Sequence, residues 1–151
     1  MTRLSLQRRY RPAEIRLLFI GEAPPASGRF FYQRDSGLYR AMRDAFQSDD
    51  ENFLDAFQAA GCYLIDLCPQ PVDKLPPKAR SEACANSEPL LARTIARLQP
   101  QAIATVVRSI RRNVANAAAQ AGWQGAIHDL PYPGRWSRHR DAFIRQLRLL
   151  V

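Results

Sequence analysis

The sequence predicts an α/β protein of three layers, α/β/α, built on a central sheet of four parallel strands within one domain spanning residues 1–151. Four short runs carry that expectation: "IRLLFIG" (15–21), "CYLIDLC" (62–68), "AIATVV" (102–107) and "GAIHDLP" (125–131). Each is almost continuously apolar, β-branched or aromatic, as suits a strand covered on both faces. Between them lie stretches whose apolar residues recur at three and four positions, long enough to cross back over a sheet. Strands alternating with such helices form βα units and a parallel sheet. The third observation is length, since 151 residues make one domain with a sizeable core.

The elements follow in order. "MTRLSLQRRYRP" is basic and has no apolar segment of the kind a secretory leader needs. The first strand stops at Gly21-Glu22, breaks on Pro24 and Pro25, and is followed by Phe30, Phe31 and Tyr32. "SGLYRAMRDAF" (36–46) and "ENFLDAFQAAG" (51–61) read as helices, the second stopped by Gly61. After the second strand, "CPQPVDKLPPKAR" (68–80) reads as a long loop. "SEACANSEPLLARTIARLQP" (81–100) is helical, with a register broken at Pro89, so it begins as one helix and continues as another. "SIRRNVANAAAQAG" (109–122) links the third and fourth strands, and "SRHRDAFIRQLRLL" (137–150) closes the chain with Ser137 as its cap.

Composition narrows the function. Hydrophobic residues make up 46% and charged residues 24%, ordinary for a globular protein. No apolar run approaches the roughly 18 residues of a membrane span, so no membrane partner is expected and the chain is read as cytoplasmic. Cys62, Cys68 and Cys84 form no CxxC pair; they predict buried reduced thiols, with neither a disulfide framework nor a metal site. The net charge is +8, which attracts polyanions, nucleic acid first among them. Arg108, Arg111, Arg112, Arg135, Arg138, Arg140, Arg145 and Arg148 crowd the last third against only Asp129 and Asp141. A planar guanidinium suits phosphate because it donates two hydrogen bonds at once, although such a run also serves as a solvated helix face.

Ligands of open parallel sheets bind beyond the carboxyl ends of the strands, near a switch in strand order. Four places fall there: Glu22 after strand one, Asp66 at the end of strand two, Arg108 after strand three, and "LPYPGRW" (130–136) after strand four.

"GEAP" (21–24) after a first strand, then "GRFFY" (28–32), resembles the uracil-DNA glycosylase superfamily, most closely its iron–sulfur bacterial and archaeal branch. "YLIDLCPQP" (63–71) is similar to the family's second strand with its base-reading residue, cysteine and prolines. "EACANSEPLLARTIARLQPQAIATV" (82–106) resembles its Glu-x-x-Cys helix and the strand after it, and "LPYPGRWS" (130–137) takes the place of the final His-Pro-Ser-Pro loop. The likeness runs from Ile15 to the C-terminus and implies the family's fold, DNA as partner, and hydrolysis of the N-glycosidic bond of an extruded base by a monofunctional enzyme.

The resemblance also implies roles. Gly21 and Ala23 approach the base, Glu22 orients water or stabilises charge on the sugar, and Phe31 stacks on the base, with Phe30 or Tyr32 as alternatives. Pro25 replaces a glycine and removes a backbone donor. Asp66 stands where the family commonly carries asparagine; an ionised aspartate accepts hydrogen bonds but donates none, which suits an amino-bearing edge or a water rather than uracil O4. Leu130 takes the base-binding position of the final-motif histidine, and losing such a donor typically costs about 10²–10³ in rate. Arg108, Tyr132 and Arg135 are the candidates to replace it, since His128 lies about 7 Å deeper along the strand. Tyr132, Gly134, Arg135, Trp136 and Arg138 sit where the family's loop grips DNA, and a bulky side chain there fills the gap left by the base.

Cys68 and Cys84, sixteen residues apart, match two of the family's four cluster ligands, while the N-terminal cysteine pair has no counterpart. A four-iron cluster takes four thiolates, so no cofactor is expected. Three readings stay open: a monomeric, cofactor-free DNA glycosylase, a binding member of the same fold with weak or no catalysis, and an enzyme acting on a small-molecule base, nucleotide or nucleoside.

Overall fold

The computed structural model describes residues 2–151. Its strands are β1 (Leu17–Gly21), β2 (Cys62–Asp66), β3 (Ala102–Thr105) and β4 (Ala126–Asp129), all parallel in the order β2-β1-β3-β4. Each of the four apolar runs therefore holds one strand. Helices α1 (Arg3–Arg9), α2 (Gly37–Ala45), α3 (Phe53–Ala59), α4 (Pro77–Asn86), α5 (Glu88–Leu98), α6 (Arg111–Gln120) and α7 (Ser137–Arg148) flank the sheet. The chain winds from β1 toward one edge and then crosses back through β3 to the other. Right-handed crossovers in opposite directions put helices on opposite faces. Accordingly α5 packs on α6, and α7 packs on α2.

The core follows from the sequence pattern. All five residues of β1 are buried, and Leu18, Phe19 and Ile20 have no exposure at all. Phe19 stacks on Phe57, which joins Phe31, Phe46 and Phe53 in an aromatic cluster on the α2–α3 side. Among the described residues Thr105 is the one fully buried polar side chain, and its hydroxyl donates to Asp129 Oδ1 at 2.8 Å.

Three elements depart from expectation. Helix α1 forms within the basic N-terminal stretch, where the sequence marks no element; Thr2 caps it by accepting from the Ser5 N–H at 3.0 Å. The loop after β2 is shorter than 68–80, because Pro77 opens α4, a position where a missing N–H costs nothing. The break between α4 and α5 falls at Ser87, with Pro89 in the first turn of α5, so the two-helix reading of 81–100 holds. Ser137 does not cap the last helix. Trp136 occupies that position without a side-chain bond, and Ser137 is the first helical residue.

Candidate active site at the carboxyl ends of the strands

Strand β1 leaves the sheet at Gly21 and β3 at Thr105, the adjacent pair between which the winding reverses. Backbone pairing does not stop at the strand ends. Leu67 N–H donates to Gly21 O and Cys68 N–H to Glu22 O, both at 2.8 Å, and Val106 N–H donates to Ile20 O at 3.1 Å. The sheet thus holds the backbone of Glu22 beside that of Cys68. A cavity of about 500 Å³ opens over this edge, and Gly21, Glu22, Ala23, Phe30, Asp66 and Tyr132 stand in its wall. Those residues come from three of the four places marked in the sequence.

Glu22 is largely enclosed, its side chain 15% exposed and gripped by Arg80. Arg80 Nε donates to Glu22 Oε2 at 2.9 Å, and its Nη2 donates to Oε1. The Cys84 thiol approaches Oε2 at 3.6 Å from the other side. A two-point guanidinium contact fixes the position and orientation of the carboxylate. Arg80 escaped the sequence reading because it was assigned to loop. The signal was Pro76-Pro77, which starts a helix and sets Arg80 one turn in.

Cys68 and Cys84 lie with their sulfurs 3.7 Å apart beneath Glu22, both buried. Burial, the neighbouring Cys68 and Glu22 push the Cys84 thiol up to about 12. Cys62 starts β2, at the far end of that strand. Two thiols do not fit a four-iron cluster. Among the described residues there is no group of three or more His, Cys, Asp or Glu placed to hold a metal ion.

Asp66 pairs in register with Gly21, and its carboxyl lies over the glycine: a Cβ there would stand 2.7 Å from Asp66 Oδ1. The missing side chain is what leaves room for the carboxyl. Desolvation pushes Asp66 up to about 7, with Arg3 pulling the other way. Near neutrality the group exists in both forms. The acid form carries an O–H donor as well as a C=O acceptor.

The three aromatics divide their work. Tyr32 is 2% exposed; its hydroxyl accepts from Leu64 N–H at 2.8 Å and donates to Leu64 O at 3.0 Å. Phe31, expected to stack on a base, is 4% exposed and is packed edge-on against Tyr32, Tyr39 and Phe53. It touches the cavity but belongs to the core. Phe30 is half-buried and faces the cavity, with the Arg3 guanidinium 5.7 Å from its ring centre. The loop carrying it is tied at both ends: Asp73 accepts from Ala26 N–H at 3.3 Å, and Asp35 from Phe30 N–H at 2.7 Å.

The other marked residues are dispersed. Leu130 is 2% exposed and lies in the core rather than in the cavity wall, because its N–H donates to Thr105 O at 2.8 Å and turns the side chain inward. Arg108 opens a short 3₁₀ turn and is exposed, while the preceding Val107 lines the cavity. Tyr132 reaches the cavity at 51% exposure, and Trp136, at 62%, stands outside it with Arg135 and Arg138 on the surface. Gly134 turns with φ +56°, in the left-handed region that favours glycine. His128 lines a separate concavity with Arg16 and Gln101, at the opposite end of the strands.

The arrangement joins an ion-paired carboxylate, a second carboxyl pushed up to about 7 by burial, an aromatic wall and a cavity of about 500 Å³. Among known sequences, a family model described as Uracil DNA glycosylase superfamily matches residues 8–149. No curated protein matches the chain.

Proposed function

The chain belongs to the uracil-DNA glycosylase superfamily, and from that membership we propose that it hydrolyses the N-glycosidic bond of a base extruded from DNA into the 500 Å³ cavity. The observation that carries the reading is the meeting of Glu22, Asp66, Phe30 and Tyr132 around one opening at the switch in strand order. Phe30 offers the stacking face, because Phe31 and Tyr32 are committed to the core. Such stacking contributes about 1–3 kcal/mol per base.

Asp66 reads the base edge. In its acid form the O–H donates to a ring carbonyl and the C=O accepts from the adjacent ring N–H, the edge shared by uracil and hypoxanthine. An ionised Asp66 lacks the donor and repels the carbonyl. Glu22, held by Arg80, presents fixed negative charge to the sugar as its oxocarbenium character grows, and orients the water that adds to C1′. The C1′–N bond breaks, the base leaves with the electron pair and takes up a proton, and an abasic site remains.

The test is incubation with oligonucleotides carrying uracil, hypoxanthine, xanthine or mismatched thymine, followed by alkali. Strand breaks that disappear in Glu22→Ala support the enzyme. A specific observation favours a second reading, a binding member with weak chemistry. The final-motif position holds the buried Leu130, and His128 lines a concavity other than the base pocket, so neither position offers a donor to the departing base. Salt-sensitive binding without strand breaks supports that one.

A further inference from the structure

A second concavity, of about 330 Å³, adjoins the first on the β2 side. Arg3, Arg8 and Arg11 enter it from α1 and the turn after it, and Arg97 from α5. Asp66, in the wall shared with the first cavity, is the sole carboxylate among its lining residues. All four arginines are exposed, and none forms an ion pair among the described residues. Three of them act on one group: burial raises the Tyr63 phenol, and Arg11, Arg97 and Arg8 pull it back. Four guanidinium groups gathered around one groove against a single carboxyl repel each other, and an anion between them relieves that repulsion.

The backbone that carries Arg3, Arg8 and Arg11 is held in place before any ligand arrives. Gln7 Nε2 donates to Leu64 O at 3.0 Å and pins α1 to the edge strand. Gln58 Nε2 donates to Arg9 O at 3.3 Å and Arg11 O at 3.1 Å, and the Tyr10 ring stacks on Tyr32 at 5.8 Å. The groove and the first cavity share Gln7, Pro24, Phe30 and Asp66, so a chain with one residue in the cavity continues directly into the groove. The charge is also spread along a line: Arg3 and Arg8 are about 7.5 Å apart along the helix axis. A row of cations suits a backbone that carries a phosphate every 3.4 Å or so along each strand better than it suits a single anion.

We propose that this groove binds the phosphates of the DNA strand flanking the extruded nucleotide, with Arg8, Arg11 and Arg97 as the gripping residues. The inference rests on the reading of the first cavity as a base pocket. It adds a second contact surface, on the opposite side of the base from the Arg135–Arg138 loop.

The experiment measures binding of a fluorescent uracil-containing oligonucleotide by anisotropy between 50 and 200 mM salt, for wild type and for R8A/R11A/R97A. Three lost phosphate contacts lower the slope of log Kobs against log[salt] by about 2–3. Exposed side chains are replaced, so the melting temperature and far-UV spectrum stay those of wild type. A slope and affinity unchanged in the triple variant overturn the proposal. If wild type nonetheless cleaves the oligonucleotide, the glycosylase reading stands alone. Loss of slope in the variant without strand breaks by wild type supports the groove and removes the enzyme reading. Deoxyuridine monophosphate displacing the oligonucleotide at equal affinity and constant ionic strength identifies a free-nucleotide site, and overturns the strand path.

Discussion

Asp66 and Phe30 allow the sharpest tests among single residues. Asp66 titrates near 7 in the folded chain against 3.8 in its absence, so the native state holds a proton that the unfolded chain has released. Stability therefore falls as pH rises from about 4 to 7 and is level above that. Asp66→Asn keeps a donor and an acceptor at every pH. It is expected to melt several degrees higher than wild type at pH 8 and near the wild-type temperature at pH 4, measured by thermal denaturation. Its affinity for a uracil oligonucleotide stays flat across pH 6–8, while that of wild type weakens as pH rises through 7. Phe30→Ala and Phe31→Ala separate stacking from packing. The first costs about tenfold or more in oligonucleotide affinity with little loss of stability. The second destabilises by about 3–5 kcal/mol in urea titration, because a buried ring leaves a cavity. Arg80→Ala leaves Glu22 enclosed without its ion-pair partner and is expected to slow base release, measured by alkali cleavage of the uracil oligonucleotide. Glu22 and Asp66 were legible in the sequence because each ends an apolar run. Arg80 was not, since its position depends on a helix that begins inside a proline-rich stretch.

At the scale of elements, legibility tracked burial. Strands and long helices reveal themselves because a buried face forces an apolar period, and β1 with α2, α5 and α7 did so. Helix α1 buries none of its seven residues fully, so no period marks it. Polar side chains hold it, Gln7 on Leu64 O and Gln58 on Arg9 O and Arg11 O, and such contacts leave no pattern in one sequence. Gln7→Ala is accordingly expected to cost only about 1 kcal/mol by urea denaturation. Leu64 O keeps the Tyr32 hydroxyl as a donor and is not orphaned. The final loop shows the converse. Its motif was visible, but whether its side chains reach the cavity depends on how β4 exits, and only Tyr132 does.

For the whole molecule, the alternation of strands and helices settled the fold class, while the strand order had to come from three dimensions. That order decides which residues meet, because β1 and β3 become neighbours only when the chain crosses back over β1. No described helix is long and apolar enough to cross a membrane, so the charge of +8 is spread over a chain without such a span. The continued pairing past the strand ends has a kinetic consequence. The backbone of Glu22 is zipped to the continuation of β2 through Cys68, so it opens only when the paired ends of β1 and β2 part. Amide protons of Leu67 and Cys68 should then exchange with deuterium only when those two strand ends separate. Those of Ala26 and Phe30, tethered by single aspartates, should exchange by local fluctuation well before, giving a floor that holds still beneath a rim that breathes.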